Sequence, residues 1–184
     1  GMGVDTYWAS RQAERICSCE QNPALHGALI HNMAVLGRDN VEVRLGDALE
    51  IAGRRSDDSL AWIFADPDRR DQGGRHVVLQ RCRPDIVAAA DSLLAASPLL
   101  IVKASPLLDA TPVARAIPGL RRCRYVSWRG ECREALLTID RRPHHDVDIR
   151  AVILRDDGTV RTEVRRRPGA DEASAVVSIH DVTA

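Results

Sequence analysis

The chain has 184 residues, and its 26 Lys+Arg balance 26 Asp+Glu, so no global field draws it to nucleic acid or to a membrane surface. That length gives room for one sizeable core with a small appendage, and no apolar run is long enough to span a bilayer. The aromatic residues are only Trp8, Trp62, Trp128, Tyr7, Tyr125 and Phe64, which excludes base stacking as a broad binding mode.

Five cysteines at irregular spacings contain no C-x-x-C pair, and Cys17-Ser18-Cys19 is too tight for a zinc knuckle. Reduced, buried thiols and a cytoplasmic location are expected. The positive charge is almost all arginine, with Lys103 the only lysine, and arginine suits bidentate contacts to phosphate.

In chain order, Gly1-Met2-Gly3-Val4-Asp5 is a glycine-rich opening before a helix over Thr6 to Ala13, with Asp5 as its cap. Arg15 to Glu20 predicts a strand ending in an acid. Pro23 opens a helix to about Leu36, with Leu25, Leu29, Met33 and Leu36 on one stripe, and Gly37 closes it. Val41 to Leu45 alternates as a half-buried strand that ends at Gly46-Asp47. Ala52 to Ser59 is polar and irregular. Leu60 to Ala65 is a short apolar run of the kind found in parallel strands covered on both faces, and Pro67 stops it.

Gln72 to Arg75 is a loop, Pro84 starts a helix through Ala96, and Leu99 to Val102 is a strand ending at Lys103. A helix capped at Asp109 or Thr111 runs to Ile117 and ends at Pro118-Gly119. Arg122 to Trp128 and Cys132 to Ile139 are strands of a hairpin about Arg129-Gly130-Glu131. The β-α-β-α alternation followed by a hairpin predicts a doubly wound α/β sheet with an antiparallel edge over residues 1–143. Beyond Pro143 come a second hairpin (Val147 to Leu154 and Val160 to Val164), a basic turn (Arg165, Arg166, Arg167) and a strand over Ala175 to Ile179. Residues 147–184 are too few for a comfortable independent core, and read as part of a second module or an addition to the main sheet.

The chemistry-bearing residues stand at successive strand ends, where open α/β sheets bind ligands. Gly1, Gly3 and Asp5 form a glycine loop leading into a helix. Such glycines let a ligand approach the backbone, and free N–H groups there suit a carboxylate or phosphate. Glu20 lies near the ~20-residue offset at which an acid meets a ribose. Asp47, with Ala48 after it, offers a carboxylate to the amino group of adenine, or simply a helix cap. Asp66 and Pro67 end the next strand, with Arg69 and Arg70 behind them. Lys103 ends the one after that. His144-His145-Asp146 reads as exposed linker rather than a metal site, and His26 and His31, five apart, do not make a helical zinc pair.

With these residues in place, the chain resembles the class I SAM-dependent methyltransferases. More narrowly it resembles a bacterial group with a THUMP-like C-terminal domain. The resemblance rests on Ala65-Asp66-Pro67-Asp68-Arg69-Arg70, on Lys103-Ala104-Ser105-Pro106-Leu107-Leu108-Asp109, and on Arg129-Gly130-Glu131-Cys132-Arg133-Glu134-Ala135-Leu136-Leu137. It implies a Rossmann-like sheet with a C-terminal antiparallel hairpin, S-adenosyl-L-methionine as cofactor, and RNA as substrate. By the same resemblance Gly1, Gly3, Asp5, Glu20, Asp47 and Ala48 hold the cofactor, Asp66 and Pro67 form the catalytic loop, and Arg69, Arg70 and Lys103 meet the substrate. The family's sheet begins with a strand ending in an acid before the glycine loop, and here that strand is missing. Two neighbouring strands are then expected to carry open edges, filled by another element or a second subunit. Gly1 before Met2 resembles the residue left by tag cleavage, and an upstream start codon is the expected explanation. A reading from another class is a remnant of the fold that binds RNA or a protein through its arginines without SAM turnover.

Overall fold

The computed structural model describes residues 1–54, 60–71, 74–75, 77–157 and 159–165. The expected strand over Ala175 to Ile179, and Arg166 and Arg167 of the basic turn, lie outside the described residues. The chain divides into two compact units, Gly1–Ser56 and Asp57–Ala184.

The first unit runs α1 (Val4–Ser10), β1 (Ile16–Glu20), α2 (Pro23–Val35), β2 (Val41–Leu45) and α3 (Ala48–Gly53). β1 and β2 pair in parallel from Ile16 opposite Val41 to Glu20 opposite Leu45, with α2 as the crossover. The Asn22 side chain caps α2 by accepting from the Ala24 and Leu25 N–H groups at 2.9 and 3.3 Å, and Pro23 fills the first turn, where no donor is needed. Only part of the expected stripe is used. Leu29 and Met33 are buried, whereas Leu25 and Leu36 are exposed, because a two-stranded sheet offers a narrow surface. α1 starts two residues earlier than expected, with Gly3 as its cap at φ 97°. α3 lies partly in a stretch read as irregular. Six residues are too short to show a helical period, and the Asp47 cap to Leu49 N–H at 2.7 Å secures it.

The second unit contains β3 (Ile63–Ala65), the short pair β4 (Arg70–Asp71) and β5 (Gly74–Arg75), and a 3-10 turn at Leu79–Arg81. These are followed by α4 (Ile86–Ala96), β6 (Leu99–Ala104), α5 (Ala110–Ala116), β7 (Leu120–Trp128), β8 (Glu131–Asp140), β9 (Asp148–Leu154) and β10 (Val160–Arg165). Its main sheet has the order β10-β9-β7-β8-β6-β3. β3 and β6 are parallel, β8 is antiparallel to both β6 and β7, and β9 runs parallel to β7. The hairpin β7–β8 forms as expected. Its turn uses Arg129 and Gly130 at φ 51° and 76°, the left-handed pair that matches strand twist. The hairpin is internal rather than an edge, because β9 and β10 extend the sheet beyond β7.

Among the described residues β1 pairs only with β2, and β3 only with β6, so each has one open edge.

The core of this unit lies on one face of the sheet. Leu100, Val102, Ala104, Cys123, Ala135, Leu137 and Ile139 are wholly buried there, as is Ile86 of α4. Helix α4 is capped by Asp85 and α5 by Asp109. Arg141 closes the far end of α4 by donating to the Leu94 and Ala95 carbonyls. Burial pushes the Cys123 thiol up to about 11 and raises Tyr125 further, while the Tyr125 hydroxyl donates to the Leu108 carbonyl. The Cys123 thiol is an inert packing group.

The Asp140 carboxylate organises the amino-end edge of this sheet. It bonds His144 Nε2 at 2.9 Å and accepts the Arg142 N–H at 2.8 Å, with Arg121 at 3.6 Å. Burial opposes its ionisation, but these partners outweigh it and hold Asp140 below the usual carboxylate range. A carboxyl lowered on folding stabilises the fold above its unfolded pKa, and that stability is lost as pH falls through the folded value. Asp140→Asn is therefore expected to lower stability by about 1–2 kcal/mol at pH 7. Urea midpoints should show the gap between the two proteins closing below roughly pH 4. An unchanged gap at pH 3 would reject this account of Asp140.

Candidate functional site

In the first unit the sequence-predicted residues gather at the carboxyl end of the β1–β2 pair. Glu20 ends β1, its Oε1 accepts the Asn22 N–H at 2.8 Å, and its Oε2 pairs with the Gly1 amine. Gly46 turns the chain after β2 at φ 142° and donates its N–H to the Glu20 carbonyl at 2.9 Å. Asp47 then caps α3 through Oδ1, which leaves Oδ2 without a hydrogen bond among the described residues. Ala48 is the first residue of α3, and Asp5 lies in the first turn of α1.

Gly3 has a packing role beside any role toward a ligand. Its positive φ disfavours a side chain, and a Cβ there would overlap Leu29 Cδ1 and press on Met33. The glycine thus lets α1 approach α2. Asn32 Nδ2 reinforces this by donating to the Met2 carbonyl at 2.9 Å.

In the second unit Asp66 and Pro67 follow β3 directly, where the ladder stops. Pro67 is buried and brings no N–H that would need a partner. Asp68 then forms a two-way backbone bridge with Arg83, N–H to carbonyl at 2.9 and 2.8 Å, which pins the loop. Arg69 is half-buried, close enough to the buried Cys82 for its charge to act on that thiol, and Arg70 opens β4. On the neighbouring strand Lys103 Nζ meets Asp66 Oδ2 at 2.7 Å. The ion pair unites two residues assigned from separate strand ends. It exists because the odd-numbered residues of β6 turn away from the helix-covered face that buries Val102 and Ala104.

The same carboxyl end carries Trp128 and residues of the Arg129–Leu137 family mark, to which the sequence reading assigned no site role. β7 runs parallel to β6, so Trp128 and the Arg129-Gly130 turn stand at this end of the sheet. Arg129 and Arg133 lie over the Trp128 ring at 4.5 and 5.4 Å, and Trp128 Nε1 donates to Asp156. Arg129 also pairs with Asp156, which lowers that carboxyl, with Trp128 assisting. The alternation of Arg122, Arg124, Val126 and Trp128 along one strand was the available signal.

A hollow of about 230 Å³ in this unit lies at the opposite end, lined by Leu94, Ile117, Pro118, Asp140 and Arg141 among others. It is smaller than the roughly 300–1,000 Å³ of small-molecule sites. It is also remote in the sheet from Asp66. Among the described residues no group of His, Cys, Asp and Glu could hold a metal ion, and no helix is long and apolar enough to cross a membrane.

No family profile matches the chain, and no curated protein does. Solved structures do match. One, described as a "putative methyltransferase" from Porphyromonas gingivalis W83, superposes with a TM-score of 0.71 over 90% of this chain at 23% identity. The fold is methyltransferase-like α/β. This chain spans 41% of that neighbour's length, so the likeness speaks for the fold and leaves the activity to be argued from the residues.

The Asp66–Lys103 pair is partly exposed, with side chains 42% and 19% accessible. Such pairs add little to stability. Asp66→Asn and Lys103→Met are each expected to change unfolding free energy by less than about 1 kcal/mol, measured by urea titration. A loss above roughly 2 kcal/mol for either would make the pair a structural element.

Proposed function

We propose that the protein is a cytoplasmic SAM-dependent methyltransferase acting on RNA. The single observation that carries this is the Asp66–Lys103 ion pair, in an Asp-Pro turn at a strand's carboxyl end, within a methyltransferase-like fold.

The donor set of the first unit fits an adenosine-bearing cofactor. Asp47 Oδ2 is a carboxylate oxygen with capacity to accept from the adenine amino group. Both Glu20 oxygens retain lone pairs for ribose hydroxyls beyond the bonds they already accept. Gly1, Gly3 and Asp5 complete the cofactor-binding set, and Ala48 continues the chain past Asp47 with a small side chain. When bound, SAM supplies a methyl group made electrophilic by its sulfonium.

On the substrate side, Asp66 orients an attacking amine by accepting one of its N–H bonds, and takes the proton released as the new carbon–nitrogen bond forms. Pro67 fixes the turn that aims it. Lys103 holds the Asp66 carboxylate in place through the ion pair, and Arg69 and Arg70 draw the anionic substrate. Because the transfer is an in-line displacement, positioning supplies most of the rate enhancement.

Calorimetric titration with SAM and with S-adenosylhomocysteine tests the reading first. Saturable binding in the micromolar range is expected, weakened about tenfold or more by Asp47→Ala. With a methyl-accepting RNA, Asp66→Ala should lower turnover about 10²-fold while leaving SAM affinity intact. Absence of SAM binding would favour the remnant that binds RNA or a protein without turnover.

A further inference from the structure

We propose that the sheet face along β7 is the track for a single-stranded stretch of RNA, stacking a base on Trp128 and placing phosphates on Arg124, Arg129 and Arg133. The proposal deepens the RNA part of the function above and rests on it.

The face is defined by register. In β7 the alternate residues Cys123 and Tyr125 point to the helix-covered side, so Arg122, Arg124, Val126 and Trp128 share the other. Across that face Lys103 stands opposite Leu136, Leu136 opposite Arg124, and Arg124 opposite Arg150. Facing cations in register repel one another unless an anion lies between them. Asp66 answers Lys103, and Asp148 answers both Arg122 and Arg150 through their Nε atoms at 3.2 and 2.9 Å. Among the described residues no carboxylate pairs with Arg124. Its Nε is buried and lacks a hydrogen-bond partner among the described residues. A buried guanidinium nitrogen without an acceptor is costly, and an anion delivered from outside removes that cost.

The second observation lies two turns of the pleat further on. Trp128 is exposed, and the Arg129 and Arg133 guanidinium groups lie within 5.4 Å of its ring. An accessible indole beside two guanidinium planes is the equipment with which proteins stack an unpaired base and hold its flanking phosphates. The arginines are paired with Asp156 and Glu131 only through exposed bridges, which contribute little and exchange readily for a phosphate. At about 3.3 Å per residue, Arg124 and Trp128 lie roughly 13 Å apart, a distance of about two nucleotides along an extended strand. The track ends at the carboxyl end of β7, which is also the end of the sheet that carries Asp66 and Lys103. The partner is a single strand rather than a duplex because stacking requires a base free of its pair.

The test is fluorescence anisotropy of a labelled twelve-nucleotide oligoadenylate and oligouridylate with the full chain, across a range of salt. Saturable binding that weakens with salt is expected. Trp128→Leu should reduce affinity roughly tenfold or more, and Trp128→Phe should retain most of it. Arg124→Gln should weaken binding to both sequences and lower the salt slope by about 0.7, while Arg115→Gln on α5 changes nothing. No oligonucleotide binding, equal binding by Trp128→Leu and Arg124→Gln, or equally tight binding of polyglutamate would overturn the proposal. SAM calorimetry on the same samples separates the two readings. SAM binding without oligonucleotide binding rejects the track alone, and oligonucleotide binding without SAM rejects the methyltransferase.

Discussion

The pairing of β6 with β8 sets the position of everything else in the larger unit. Leu100 faces Ile139, Val102 faces Leu137, and Ala104 faces Ala135, and all six side chains are wholly buried. A strand has a period of two, so burying Val102 and Ala104 forces Lys103 to the opposite face. There the parallel neighbour β3 brings Asp66 within ion-pair distance. A slip of one residue would bury the lysine and expose the core, which makes the hydrophobic register the constraint that holds the polar site. The Asp66–Lys103 pair owes its geometry to leucine, valine and alanine, and it is itself partly exposed.

The same logic shows which features were legible in the sequence. Strand ends could be read because charged residues and prolines interrupt apolar runs: Glu20 closes β1, Asp47 and Asp66 follow the ends of β2 and β3, and Lys103 is the last residue but one of β6. Helix starts were legible where a proline or a capping side chain opens the run, as at Pro23 and Asp109, whereas the Asn22 cap emerged only in the structure. What could not be read was pairing. Nothing local to Arg124 reveals that Leu136 and Arg150 flank it, since that depends on β8 entering between β6 and β7 and on β9 adding in parallel beyond them. The short helix Ala48–Gly53 was missed for a related reason. Its cap, Asp47, was noticed, but the residues that follow carry no apolar stripe long enough to declare a period.

Several residues of the first unit serve the fold, whatever they do for a ligand. Gly3 adopts a left-handed conformation and makes room for Leu29 and Met33, so a sequence pattern that resembles a phosphate-type loop is also a packing requirement. Asp47 caps α3, and Glu20 bonds the start of α2. Structural duty leaves room for the proposed cofactor duty at the two carboxylates, because a carboxylate has about four acceptor sites and one backbone N–H uses only one. Such economy is a reason why retention of these residues cannot by itself distinguish a working methyltransferase from a remnant of one.

The two open strand edges and the two-sided character of the large sheet bear on function differently. An edge offers unpaired backbone groups, which any strand can satisfy and which carry no chemical selectivity. The face along β7 carries specific side chains: Arg124, whose Nε has no hydrogen-bond partner among the described residues, and an exposed indole with two guanidinium groups against its ring. Its charges are almost balanced, so a long-range field cannot recruit a polyanion, in keeping with equal numbers of acidic and basic residues overall. On the proposed track, recognition rests on short-range stacking and on exchange of exposed ion pairs for phosphate. Such a surface suits a short, accessible single strand better than bulk nucleic acid, and it stands at the same end of the sheet as the Asp66 turn.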